Sequence, residues 1–322
     1  MKRRQLLASA LIPLASTGPA WAQVPTGRGP LRLVVGFPAG GSADVLARTL
    51  SDKLKAELGM PVVVDNRTGA GGAIAADYVK GQPGDGLTVM LGTSHMMVTA
   101  PLTMKSVRYD SLKDFKPVVR LSSFNETITV PISSPANSLK EWLELARRDE
   151  KHSNYGVPAP GSLPQFVGYR LGELTKTKLT SVPYRGAAPL TQDLLGGQVA
   201  AAILPIADMA QYNGKRVKIL AINGTKRSEM IPDVPTLKEL GYSEFDDLEW
   251  TGFFVPVSTP DATVKQLETI SLKIAQTPEV REALLKLGSN ADSAPGSALA
   301  QGIRDDFARW GPIVKASGFS TE

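Results

Sequence analysis

The stretch Leu31–Leu58, LRLVVGFPAGGSADVLARTLSDKLKAEL, decides the fold class. Leu31–Val35 is a short apolar run that predicts a buried strand. It stops at Gly36, and Gly40-Gly41-Ser42 follows. Leu46, Leu50, Leu54 and Leu58 then recur every four residues, which is one face of a helix. The unit is therefore strand, glycine turn, helix. Its helix start leaves unpaired N–H groups just past a strand end, a place suited to an anion.

The same unit recurs. Val62–Val64 predicts a second strand, Asn66–Gly72 a glycine turn, and Ala75, Ala76, Tyr78 and Val79 a helix. Leu87–Leu91 predicts a third strand that ends in Gly92-Thr93-Ser94-His95. In a parallel sheet, three such strand ends lie on one edge, where these folds bind ligands. A dinucleotide fingerprint starting at Gly69 would need its third glycine at Ile74, and the lysine of a P-loop is missing.

The first 22 residues read as a secretion signal. Lys2, Arg3 and Arg4 precede the mostly apolar Leu6–Leu14, and Ala20-Trp21-Ala22 is a small-x-small cleavage site. The 322-residue chain carries formal charge +5, of which these three cations supply three. The +2 left on the mature chain is no nucleic-acid footprint. No cysteine is present, so cysteine chemistry is excluded. About 300 residues after cleavage predict two domains.

Val118–Leu121 and Thr127–Val130 predict short strands on either side of a domain crossing. Ser138 with Glu141 forms a capping box ahead of Leu139, Trp142 and Leu145. Further glycine entries to helices follow at Pro158–Gln165 and Ser181–Pro189, and apolar strands at Val199–Leu204 and Val217–Ile222. Leu248–Val255 crosses back. The tail reads as helices starting near Thr259-Pro260, Thr277-Pro278 and Ser297. The early strands lack enough helices to cover their sheet, and the tail supplies them. The expected division is residues 23–123 with 253–322 as a discontinuous first domain and 124–252 as the second. The binding place is the cleft between them.

From the first domain, Phe37–Ser42 and Ala70–Gly72 offer backbone N–H groups and Ser94 a hydroxyl. Gly161-Ser162 and Gly186-Ala187 offer N–H groups from the second, and Tyr184 a ring. Glycine lets a backbone approach a ligand closely. Asp44 reads either as a first-turn acid favoured by the helix dipole or as a ligand-facing carboxylate. Arg185 reads as a partner for a ligand carboxylate or as a cation reaching away from a helix start. His95 and His152 are the only histidines, without metal-ligand spacing. No Gly-x-Ser-x-Gly motif supports a Ser–His hydrolase. No metal, cofactor or catalytic residue is expected.

These residues resemble a known family. LRLVVGFPAGGSADVLAR (31–48), PVVVDNRTGAGG (61–72), YDSLKDFKPV (109–118), VPYRGAAPLTQDLLGGQV (182–199), RSEMIPDVPTLKELG (227–241) and EWTGFFVPVSTP (249–260) are similar in order and spacing to the periplasmic solute-binding proteins of tripartite tricarboxylate transport, often called Bug receptors. The resemblance implies an α/β, two-lobed, type II-like periplasmic-binding-protein fold (a Venus flytrap), each lobe a βαβ sheet layered by helices. It implies a monomeric periplasmic receptor without cofactor that closes on a small organic acid and serves a two-component membrane permease. The site loops it implies are Phe37, Ala39, Gly40, Gly41, Ser42 and Asp44; Ala70, Gly71 and Gly72; Ser94; Gly161, Ser162 and Gln165; and Tyr184, Arg185, Gly186 and Ala187. Three positions depart from the family pattern. Ala39 replaces a usual proline, Gln165 a common histidine, and Leu204 a usual acid. The expectation from these is a pocket shifted towards a less polar acid, with Leu204 lining it. An exported enzyme acting on small organic acids, or a binding module serving a sensor, are the alternatives.

Overall fold

A computed structural model describes residues 29–320; the expected signal segment lies outside the described residues. The strands in chain order are β1 (Leu31–Val35), β2 (Val62–Asn66), β3 (Thr88–Thr93), β4 (Phe115–Phe124), β5 (Glu126–Pro131) and β6 (Asn154–Val157). They continue as β7 (Thr180–Pro183), β8 (Ala201–Pro205), β9 (Val217–Ile222), β10 (Glu249–Pro256) and β11 (Ala294–Pro295). Two sheets result, of order β11-β4-β10-β3-β1-β2 and β7-β6-β8-β5-β9. The chain forms a two-lobed α/β fold.

In the first sheet β1 pairs in parallel with β2 and β3, so their C-terminal ends share one edge. β10 and β4 complete it antiparallel. The helix Ser42–Leu58 buries Leu46, Leu50, Leu54 and Leu58 against this sheet, as the four-residue spacing requires. Burying each such leucine contributes roughly 1.5–3 kcal/mol. Gly59 ends the helix in the left-handed conformation at φ 64°. Leu267, Ile274, Val280 and Leu284 of the tail join the same core, and Leu299 and Ile303 cover the opposite face. The tail thus covers both faces of a sheet that combines early strands with β10 just ahead of it.

The second sheet has β6 parallel to β7 and β8, with β5 antiparallel to β8 and β9. Ser138 caps the helix Leu139–Arg148 by accepting from the Glu141 N–H at 3.2 Å. The Glu141 carboxylate reaches back to the N–H of Asn137 instead of that of Ser138. The helix near Thr259 begins at Asp261, with Pro260 as its cap, one residue later than the Thr-Pro pattern suggests.

The chain passes between lobes at Asn125, which links β4 to β5, and again just before β10. β10 joins the first sheet at Glu249, ahead of the expected boundary at 253, because Glu249 pairs with Phe124. Asn125 and Asn223 stitch this seam: Asn125 Nδ2 donates to the Asn223 carbonyl at 2.7 Å, and Asn223 Nδ2 to that of Asp247 at 2.8 Å. A third passage is the helix Gly296–Ser317. Its Leu299 and Ile303 lie in the first lobe's core, and its Trp310 and Val314 in the second's. Pro312 interrupts the hydrogen bonding of that helix. Trp310 Nε1 donates to Asp247 at 2.9 Å, so the helix meets the seam.

Candidate functional site

The first-lobe loops touch one another through glycine. A Cβ on Gly36 would lie 2.9 Å from Gly72 Cα, so only glycine lets the two turns pack. Gly40 has φ 84° and Gly41 caps the helix Ser42–Leu58. Ala39, Gly40, Gly41 and Ser42 are exposed, and Phe37 is half-buried. Beneath them, Asp44 holds the loop. Its Oδ2 accepts from Gly40 N–H and Arg48 Nε, each at 2.9 Å, and its Oδ1 from Asn66 Nδ2 at 3.0 Å. Asn66 also donates to the Phe37 carbonyl at 3.0 Å. The Arg48 hydrogen bond, followed by the Gly40 N–H, holds the Asp44 carboxyl down to about 2. Asp44 is 2% exposed but lies just under the surface, so hydrogen bonds set its charge more than a dry interior does. Both of its oxygens are engaged with the loop itself.

The second turn is strained. Gly69, Ala70, Gly71 and Gly72 all have positive φ, and Ala70 carries a side chain at 47°. Such strain collects at ligand-holding turns. Gly72 precedes the helix Ala73–Lys80, and Met96 packs against it so tightly that a Cβ there would meet Met96 Cγ at 2.6 Å. A Cβ on Gly71 would lie 2.6 Å from His95 Nε2.

Ser94 is buried and its hydroxyl is engaged. It donates to Glu249 Oε2 at 2.8 Å and accepts from the Trp250 N–H at 3.4 Å. The His95 Nδ1 meets Thr99 Oγ1 at 2.8 Å. Adjacent in sequence, Ser94 and His95 therefore serve different partners, and no nucleophile–base pair forms. After β3 the chain turns through a π-helical turn, His95–Thr99, into the short helix Ala100–Thr103. The sequence patterns do not anticipate this segment.

In the second lobe Gly161 has φ 72° and lies against the first lobe: a Cβ there would sit 3.1 Å from Thr103 Oγ1. Gln165 accepts the Gly161 N–H on its Oε1 at 2.9 Å. That N–H is spent within the loop, and the Gln165 amide nitrogen is left as the donor. Ser162 caps the helix Leu163–Thr175, and its hydroxyl donates to the Ala159 carbonyl at 2.7 Å. Gly186, at φ 116°, donates to the Pro158 carbonyl at 2.8 Å and caps the helix Ala187–Leu195, which sets the Tyr184–Ala187 loop beside the Gly161 loop. Tyr184 donates its hydroxyl to Asp193 at 2.7 Å, and burial together with that carboxylate pushes it up to about 12. Arg185 is exposed, and among the described residues its guanidinium has no partner.

Leu204 lies in the apolar cluster against which Tyr184 and Ala187 of the second-lobe loop pack. It is fully buried among Leu190, Leu194, Ile206 and Ile222 in the apolar layer of the second sheet. An acid stands nearby all the same: Asp208, in the short helix Ile206–Met209, whose carboxyl burial pushes up. Its charge is felt by Glu126 at the seam. Glu126 is fully enclosed, accepts no hydrogen bond on either oxygen from N–H or hydroxyl groups of the described residues, and meets Glu249. Burial, and then the Glu249 charge, push Glu126 well above the usual range; burial also raises Glu249. One proton held between the two carboxyls makes their contact attractive.

Ser94 of the first lobe and Leu163 of the second line one small cavity together with Thr99, Glu249 and Trp310. Among the described residues no group of three or more His, Cys, Asp or Glu could hold a metal ion, and no helix is long and apolar enough to cross a membrane.

Residues 46–319 match the family described as the tripartite tricarboxylate transporter family receptor. The chain belongs to that family. BugT of Bordetella pertussis is 31% identical over 291 residues, covering 90% of this chain and 89% of BugT. An R. palustris protein solved with adipate superposes with TM-score 0.80 at 28% identity, covering 92% of this chain and 99% of that one. MatC from Rhodopseudomonas palustris, solved with bound malate, gives TM-score 0.75 at 30% identity over 89% and 99%. This family member is a periplasmic solute receptor for small organic acids that serves a membrane permease, and it is not an enzyme.

Proposed function

We propose that the receptor holds a small organic carboxylate between the Phe37–Asp44, Ala70–Gly72 and Ser94 loops of the first lobe and the Gly161–Gln165 and Tyr184–Ala187 loops of the second. The observation that carries this reading is the gathering of glycine-turned helix starts at Gly41, Gly72 and Gly186 on two lobes that meet at Gly161 and Thr103. Each start presents N–H groups without helical partners, and each favours an anion. The unpartnered Arg185 adds a cation at the rim. The relatives solved with adipate and with malate support an acid of this size.

Binding energy drives closure and no bond breaks. The open form samples closure, and an acid that contacts both lobes favours the closed one. Cleavage after Ala22 releases the receptor to the periplasm, where a permease of one large and one small subunit reads the closed form. Ala39 removes a ring from the first loop, and Gln165 offers a neutral amide where a histidine is common; both favour an acid with fewer charges.

The test is the melting temperature of residues 23–322, refolded to strip carried ligand, against benzoate, malate, adipate and citrate. A rise with one acid and not with its amide establishes the carboxylate reading. No rise with any of them, in a refolded protein of native circular dichroism, overturns it.

A further inference from the structure

We propose that Phe319 is a positioning residue for the bound acid: its ring holds Gly161 in the place from which the Gly161 N–H presents the Gln165 amide nitrogen to the ligand. This deepens the carboxylate reading above and rests on it.

Phe319 follows the helix Gly296–Ser317. Gly318 takes the left-handed conformation at φ 68° and turns the chain. The Ser317 hydroxyl ties that turn: it donates to the Val314 carbonyl at 2.7 Å and accepts from the Phe319 N–H at 3.2 Å. The helix end therefore sets the place of the ring. The ring is half-buried against the second lobe's core and stands edge-on to Phe166, with centroids 5.8 Å apart and planes at 77°. Aromatic pairs favour such an arrangement.

Gly161 is where this ring reaches the site. A Cβ there would lie 2.9 Å from Phe319 Cε1 and 3.1 Å from Thr103 Oγ1. The space that a side chain would take is filled by a ring from the helix end and a hydroxyl from the first lobe. Gly161 is buried, although Pro160 before it is exposed. Glycine brings no side chain with which to fix itself. These neighbours do it instead.

The consequence passes to Gln165. An amide accepts on its oxygen and donates from its nitrogen. The Gly161 N–H requires the oxygen, and Oε1 meets it at 2.9 Å. The Nε2 arm is then directed away from that contact, and no hydrogen bond to another described residue engages it. The Gln165 backbone is held on both sides: its N–H donates to the Ser162 carbonyl at 3.0 Å, and its carbonyl accepts the Tyr155 hydroxyl at 2.8 Å. What is left to set is the side-chain amide, and the Gly161 N–H sets it. Phe319 thus acts through Gly161 and Gln165 without being a contact of the acid itself. Donors held in place before binding cost less to order when the acid arrives.

The probe is whichever of benzoate, malate, adipate and citrate raises the melting temperature. The measurement is its affinity by calorimetry, well below the melting temperature. Gln165→Ala removes one neutral hydrogen bond and weakens binding about tenfold. Phe319→Ala weakens it by a similar factor, and Phe319→Leu, which keeps an apolar side chain against Gly161, by about threefold or less. In the Gln165→Ala background either Phe319 substitution costs at most about twofold more, because the amide through which it acts is gone. Should Phe319→Ala lack native circular dichroism, Phe319→Leu carries the same cycle. If the effects of the two positions multiply, or the Phe319 variants bind as tightly as the wild type, this proposal is overturned and the carboxylate reading stands. If no acid raises the melting temperature, both fall.

Discussion

Asp44, in the first-lobe loop, accepts hydrogen bonds from Gly40, Arg48 and Asn66, whereas Glu126, at the passage between the lobes, accepts none on its oxygens from N–H or hydroxyl groups of the described residues. Both are closed off from solvent. The loop keeps its acid charged because three donors replace the water it lost. The seam keeps its acid by holding a proton against Glu249. The difference teaches that enclosure alone does not set the state of a carboxyl; the donors brought with it do. It also separates two tasks: the loop is held in a fixed shape, and the seam encloses a carboxyl without exposing a charge.

An acid placed where neither device exists tests this most severely. Leu204→Asp puts a carboxylate into the apolar layer of the second sheet, with leucine and isoleucine around it. The expected loss is more than about 3 kcal/mol at neutral pH, smaller at pH 4 where the new carboxyl is partly protonated; denaturant unfolding measures both. Were the loss under 1 kcal/mol, the second lobe would have a donor or a water path that the packing does not reveal. Dismantling the loop should come next. Asp44→Ala strands the donors of Gly40 and Asn66 and should cost about 1–2 kcal/mol, read as a drop in melting temperature. The Arg48 share of this is reduced because its guanidinium is more than half exposed to water.

The pH dependence of the two acids runs in opposite directions. Glu126 has a raised folded value, so its contribution is complete below the ordinary glutamate value of 4.5 and is lost as pH rises through the folded one. Stability should therefore fall with rising pH, with a slope of at most about 1.4 kcal/mol per unit for one proton. Glu126→Gln keeps a donor for Glu249 and should flatten that slope; equal slopes in variant and wild type would sink the shared proton. Asp44 has a depressed value, so its contribution is present above 3.8 and is lost as pH falls towards about 2. The smallest effect belongs to Arg48→Ala, about 0.5 kcal/mol or less and weaker in high salt. A salt-insensitive loss of several times that size would mean the guanidinium also packs the loop.

The architecture could be read from local patterns because local patterns make it. The leucines of Ser42–Leu58, the strand run Leu31–Val35 and the glycines at 36, 40, 41, 71 and 72 each act on their own neighbours. The loops around Gly161 and Gly186 were legible for the same reason. What the sequence did not disclose depends on partners far along the chain. Ser94 meets Glu249 across 155 positions, so its hydroxyl looks free in sequence and is not. Glu126 and Glu249 are ordinary surface residues in composition and become a buried pair only when both passages between lobes lie side by side. Position 204 shows the converse. The missing acid of the strand end is visible in sequence, but which face of the sheet Leu204 occupies is fixed by the register of β8 on β5. The π-helical turn His95–Thr99 has no sequence pattern of its own to announce it.

The helix Gly296–Ser317 enters as a cover for the first sheet and leaves as part of the second lobe's core, crossing at the place where Phe124 pairs with Glu249 and Asp247 holds Trp310. Two bodies tied at three adjacent points keep one freedom, a rotation about the line of ties; sliding and twisting are taken away. On the proposed reading, an acid held between the lobes alters that angle. A membrane partner that reads that angle would need no contact with the cargo.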